Sequence, residues 1–217
     1  MTGKITAYDG KELVIHAKYE DMHTYVKNKP ETVRFMLVDS RCITDLQRRK
    51  IYAMLHEIAD WIGNLPEQVK HLFKWKFVQE QMDGFGEYFS LSDVDETTAR
   101  AFIEYLIEFM LAHGVPSSKP LYELCDDIQR YVYLCAKYKR CAVCGRKTEL
   151  HHVDAVGMGR NRNEIEHIGL RALPLCEMHH EEVHRIGNGE MCEKYHIEPV
   201  IINEELFKIY KLRSKKQ

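Results

Sequence analysis

Apolar and polar positions along the chain change period more than once, and each change marks an element. Lys4-Ile5-Thr6-Ala7-Tyr8 and Glu12-Leu13-Val14-Ile15-His16 alternate with a period of two, and the Asp9-Gly10 dipeptide between them predicts a hairpin turn. Val33-Arg34-Phe35-Met36-Leu37-Val38 is a third strand candidate. The period then lengthens. Leu46, Ile51, Leu55, Ile58 and Ile62 recur at helical spacing and predict a helix over residues 44–62. A second helix is expected over 66–82, after Gly63-Asn64-Leu65, with Pro66 in the first turn where its missing donor is harmless. Past Gly84-Phe85-Gly86, the segment Tyr88-Phe89-Ser90-Leu91 is expected as a short strand. A long helix over 96–113 follows, with Asp93 or Asp95 as its cap and Gly114 as its stop. Ser117-Ser118-Lys119-Pro120 is the one linker-like stretch, and residues 121–138 read as a helix delivering the chain to Cys141. The pattern predicts an α+β protein. Its N-terminal domain (1–118) carries a mixed sheet and long helices, a connecting helix occupies 119–138, and a small domain fills 139–217.

Composition narrows the class. With 217 residues, 45% hydrophobic and 29% charged, the chain resembles ordinary globular proteins and can bury a real core. Charges break every apolar stretch, so no membrane segment is expected. The opening Met1-Thr2-Gly3-Lys4 does not lead into a signal-peptide run. Seven cysteines, an odd count with several in metal-like spacing, point to a reducing cytosol. The net charge of −2 divides unevenly: residues 137–217 hold 15 Lys+Arg against 12 Asp+Glu, a net of +3, and residues 1–136 carry −5. A weakly basic C-terminal part is compatible with nucleic acid and with a plain solvated surface alike.

The chemistry concentrates in the last third. Cys141-x2-Cys144 and Cys176-x2-His179 are two tight knuckles separated by 31 residues, and together they supply the four ligands of a tetrahedral structural zinc. That site leaves His151, His152, His180 and His184 unexplained. His180 and His184 are four apart, so a helix puts them on one face. His151 and His152 are adjacent, so a strand points them to opposite faces. One can then ligate an ion while the other addresses a substrate. Metal-assisted phosphodiester hydrolysis needs this division: an ion steadies charge on the phosphate, and an imidazole takes a proton from water.

Leu150-His151-His152 with Leu173-Pro174-Leu175-Cys176-x2-His179-His180-x3-His184 resembles the HNH (ββα-metal) endonuclease motif in its zinc-knuckled form, over about Cys141 to Arg185. The resemblance implies a DNA endonuclease. His152 would be the general base, and His151, His180 and His184 would hold a catalytic divalent metal (Mg2+, Mn2+, Ni2+ or Zn2+). Asp154 is an additional ligand candidate or a surface loop residue. The motif's middle Asn is missing: Arg171 stands there, with His167, Asn161 and Asn163 upstream. Either another residue braces the loop, or the site is weakened. Arg171, Arg160 and Arg162, the last two in the loop Gly157-Met158-Gly159-Arg160-Asn161-Arg162, are candidate DNA contacts or solvated turn residues. Cys192 and His196 have no assigned role.

Two basic clusters, Arg48-Arg49-Lys50 and Lys70-x3-Lys74-Trp75-Lys76, mark either a helix rim or a nucleic-acid surface on which Trp75 or Phe73 would stack. Thr44-Asp45-Leu46-Gln47-Arg48-Arg49-Lys50-Ile51-Tyr52-Ala53-Met54-Leu55 is similar to the segment opening the main helix of phage NinB/Orf recombination proteins, and the element order agrees. That likeness implies a homodimeric module that binds single-stranded or branched DNA, works with single-strand-binding protein and acts in the bacterial host cytosol. The competing expectation is a non-catalytic DNA-binding mediator whose degenerate HNH module is a zinc-stabilised scaffold.

Overall fold

The structure, a computed structural model, describes residues 3–18, 27, 41–81, 88–154 and 166–212. Packing divides the chain into two units, Met1–Val38 and Asp39–Gln217. In the first, β1 (Gly3–Tyr8) and β2 (Leu13–Ala17) form an antiparallel hairpin with a register shift between Ile5 and Ala7. Its turn forms as the dipeptide predicts: Asp9 Oδ1 accepts from the amides of Lys11 (2.9 Å) and Glu12 (2.7 Å), and Gly10 takes φ +93°. The third strand candidate, residues 33–38, lies outside the described residues.

The second unit holds three long helices. Helix α1 (Asp45–Ile62) starts at a capping box in which the Gln47 amide donates to Thr44 Oγ1 and the Thr44 amide donates to Gln47 Oε1. It stops at Gly63, whose left-handed φ of +76° favours a residue without Cβ. Helix α2 (Pro66–Gln81) opens on its proline, and α3 (Glu96–His113) is capped by Asp95 and ended by Gly114. Ile51, Met54, Leu55 and Ile58 face Phe102, Ile103, Leu106 and Ile107 in the core, joined by Phe73 and Phe77 of α2. The rings of Phe73 and Phe109 meet edge-on at 4.7 Å, a favoured aromatic geometry.

Two expectations change here. Residues 88–91 form no strand: the Ser90 carbonyl accepts from the Val94 amide at 3.0 Å in a turn, and the Leu91 carbonyl accepts from Arg48 Nε at 2.9 Å instead of from a ladder. Residues 121–138 are not one helix. A 3-10 turn (Leu121–Glu123) is followed by α4 (Ile128–Lys137), which begins afresh where the Asp127 carboxylate caps the Arg130 amide.

The remaining elements are β3 (Glu149–His152), β4 (Arg171–Leu175), α5 (Glu177–Ile186), α6 (Asn188–Tyr195), β5 (Val200–Ile201) and α7 (Glu204–Ile209). Strands pair antiparallel in the order β3-β4-β5, with α5 directly after β4. The apolar core is continuous from Ile43 through Cys141, Leu173 and Cys176 to Leu206, so the cysteine knuckles and the long helices share one interior. The segment around Ser117 and Pro120 is a turn inside this unit.

Gly114 joins the halves of that interior. At φ +69°, an added Cβ would lie 2.4 Å from the Arg140 guanidinium, whose Nε donates to the Leu111 carbonyl at 3.1 Å. Left-handed strain alone costs about 1–2 kcal/mol, so Gly114→Ala should lower the melting midpoint by about 2–8 °C. An unchanged midpoint in a thermal melt would refute this reading of the junction.

Candidate metal centre

A short hairpin makes the first knuckle. The Arg140–Lys147 bridge closes it, the Cys141 amide donates to the Arg146 carbonyl at 2.7 Å, and the Gly145 amide donates to the Cys141 carbonyl at 2.9 Å. Gly145, at φ +69°, lets the chain turn back after Cys144, whose exposed side chain joins the buried Cys141 at the same ligand cluster. The second knuckle is the β4–α5 junction, where Cys176 is the residue before the first helical turn and His179 lies in it.

The four side chains converge. His179 Nδ1 is 3.3 Å from both Cys141 Sγ and Cys176 Sγ, and Cys144 Sγ is 3.6 Å from Cys176 Sγ. Around one tetrahedral ion, sulfur at about 2.3 Å and nitrogen at about 2.0–2.1 Å place S···N at about 3.5 Å and S···S at about 3.8 Å, so each separation here is within about 0.2 Å of the value a zinc would set. The donor set and spacing therefore fit zinc. Burial pushes the Cys141 thiol up to about 12, so it ionises readily only with a cation beside it. Burial also works against the Cys144 thiolate, but the Arg146 guanidinium, with Nε 3.3 Å from the sulfur, and backbone amides outweigh it and hold that thiol low.

A second cluster stands on the other side of helix α5. His151 from β3 and His180 and His184 from α5 bring ligand nitrogens within 4.8 Å of one another. Their ring centroids are 4.8 to 5.1 Å apart. Burial lowers the pKa of His151 and of His180, which favours the neutral imidazole that ligates metal. Three imidazoles with no sulfur suit a first-row divalent ion.

His151 is 7% exposed and its Nε2 is 2.9 Å from Asn188 Oδ1. The Asn188 amide group in turn donates to the Val153 carbonyl at 3.2 Å. This residue escaped sequence reasoning. Asn188 opens α6, far from β3 in the chain, and its only sequence signal is the helix-breaking Gly187 before it. It fixes the imidazole and the end of β3 together.

Strand alternation sends His152 to the opposite face, half-buried, with Nε2 2.9 Å from Nδ1 of His167, itself 8% exposed. His152 pairs with Ala172 across the ladder and His151 with Leu173. Asp154 does not reach toward the histidine cluster as a ligand. Its carboxylate accepts from the Arg171 amide (2.6 Å), Nε (2.9 Å) and terminal guanidinium nitrogen (2.6 Å), and those bonds hold it below the usual carboxylate range. Arg171 thus ties the end of β3 to β4. Arg160, Arg162, Asn161 and Asn163 lie outside the described residues.

The family model described as "Putative HNHc nuclease" matches residues 18–213. No curated protein and no solved structure matches the chain.

Proposed function

The chain belongs to the HNHc nuclease family, and from that premise we propose that it is a metal-dependent endonuclease cutting single-stranded or branched DNA. The observation that carries this reading is the second cluster: three histidines beyond the four knuckle ligands share one coordination space, with a further histidine on the same strand. His151, His180 and His184 would hold a divalent ion, which when bound would supply charge stabilisation to the scissile phosphate and its leaving oxygen.

His152 takes the proton from the attacking water as a phosphorus–oxygen bond forms on one side and breaks on the other. His167 positions it, because a 2.9 Å bond between ring nitrogens fixes the imidazole plane. Cys141, Cys144, Cys176 and His179 would hold a structural zinc, which would anchor the start of α5, and with it His180 and His184, against the hairpin bearing Cys141. The substrate class rests on the likeness of residues 44–55 to NinB/Orf recombination proteins. A phage recombination context, a homodimer and cooperation with single-strand-binding protein belong to the same likeness.

Arg171 in the place of the motif's Asn favours a non-catalytic mediator. Asn188 and the Asp154–Arg171 pair provide bracing from other positions, which supports an active site over a scaffold. Incubating the zinc-loaded protein with plasmid, single-stranded and branched DNA in Mg2+, Mn2+ or Ni2+ tests the proposal. Cleavage is expected with at least one ion, and DNA left intact under every ion would sink it.

Asn188→Ala should weaken the second ion about 10- to 100-fold, the usual effect of removing a group that orients a ligand. Calorimetric titration of Mn2+ or Ni2+ into the zinc-loaded variant reads this. Affinity equal to wild type would mean that Asn188 only fills space.

A further inference from the structure

A polar cleft lies away from both metal-ligand clusters. It has a volume of about 390 Å³, within the range of small-ligand sites, and is lined by Arg48 and Tyr52 of α1, Lys70, His71 and Lys74 of α2, and residues 88–92. Lys74 is the anomaly. It is only 4% exposed, yet among the described residues no carboxylate lies within ion-pair reach of its ammonium. Its contacts are aromatic: Nζ sits 4.0 Å from the ring centroid of Tyr88 and 5.1 Å from that of Phe89.

A buried ammonium with no counter-ion is unfavourable in a closed protein, and aromatic faces offset that only in part. Burial first, and then the neighbouring Lys70 charge, lower its pKa. The Glu67 carboxylate acts on Lys74 only at a distance and in the opposite sense, so among the described residues the ammonium has no anion in contact, and it lines an open cleft. The cleft's other groups suit a phosphate carrying a planar base. Ser90 and Ser92 are exposed hydroxyls at the rim, and Tyr88, half exposed, lies parallel to His71 with its hydroxyl bonded to His71 Nδ1. Arg48 and Lys70 add positive charge, although Arg48 pairs with the exposed Asp45 at 3.5 Å and Lys70 with the exposed Glu67.

We propose that this cleft is a phosphate subsite for single-stranded nucleic acid, in which Lys74 neutralises one backbone phosphate while Tyr88 and His71 meet the adjoining base. The inference extends the nuclease reading to how the substrate is held and rests on it only for the identity of the strand.

The test is fluorescence anisotropy of a labelled oligothymidylate on the zinc-loaded full chain carrying His152→Ala, so that cutting does not intervene. Lys74→Met should weaken binding several-fold and make the slope of log K against log salt shallower by about 0.7, the share of one single-strand phosphate. Ser92→Glu, on an exposed residue that carries no core, should weaken binding comparably by placing a carboxylate at the cleft mouth. Zinc content and melting midpoint report whether Lys74→Met folds, and Ser92→Glu decides the matter if it does not. Thymidine monophosphate should compete only far above the oligonucleotide concentration. Binding and salt slope unchanged in both variants would overturn the proposal, as would no oligonucleotide binding at all. A mononucleotide that competes on equal terms would also overturn it, since the ligand would then be a free nucleotide. Cleavage by the otherwise unchanged protein is scored separately, so an inactive nuclease that still binds through Lys74 leaves this site standing.

Discussion

Replacing His152 with alanine should lower the DNA cleavage rate by roughly 10²–10⁴-fold, the usual contribution of a positioned general base. The side chain is half-buried on the strand face opposite His151, so its removal leaves the three clustered histidines in place. The zinc content and the affinity for Mn2+ or Ni2+ should then match wild type while turnover collapses. His167→Ala is expected to act in the same direction but more weakly, because the imidazole remains and only its orientation is lost. Steady-state cleavage at saturating metal separates the two. A His152→Ala protein that cuts as fast as wild type would remove this residue from the chemistry and leave the ion cluster without its base.

Loss of a knuckle ligand has the second large effect, on stability. Cys141 is fully buried, and its sulfur lies among the apolar groups that continue into the long helices. Structural zinc contributes on the order of 10 kcal/mol in small zinc domains, comparable to the whole stability of a typical domain, about 5–15 kcal/mol. Cys141→Ser should therefore lose its zinc and fail to fold as a unit. Because the core is shared, the helices of residues 45–113 should melt with the knuckles rather than survive as a separate transition. Elemental analysis with a thermal melt reads both. A variant that keeps one zinc per chain, or that shows an unaltered second transition, would disprove the coupling.

Local signals explain what the sequence disclosed. Thr44 with Gln47, Asp95, and the glycines at 63 and 114 are each sufficient to start or stop a helix, and α1 and α3 end where those residues stand. The knuckles are legible because ligand spacing within a tight turn is itself the geometry, and the i, i+4 spacing of His180 and His184 follows from helical pitch. What stayed hidden depends on partners distant in the chain. Residues 88–91 look like a strand, but the side chain of Arg48, 43 positions away, takes one of their carbonyls. Asn188 reaches back 37 positions to His151, and nothing in its local sequence announces that bond. Arg171 read alone could be a DNA contact or a turn residue; only its three bonds to Asp154 show that it fastens two strands. The exposure of Lys74 was equally illegible, since a lysine between Phe73 and Trp75 on a helix gives no sign that two aromatic rings from residues 88 and 89 enclose it.

The most direct test of the central claim is anomalous scattering from crystals of the full chain grown with zinc and then Mn2+ or Ni2+. Two ion positions per chain are predicted. Zinc should lie among Cys141, Cys144, Cys176 and His179, and the second ion should be held by His151, His180 and His184. A single zinc peak at the knuckles, with the three histidines left bare at saturating divalent ion, would contradict the account.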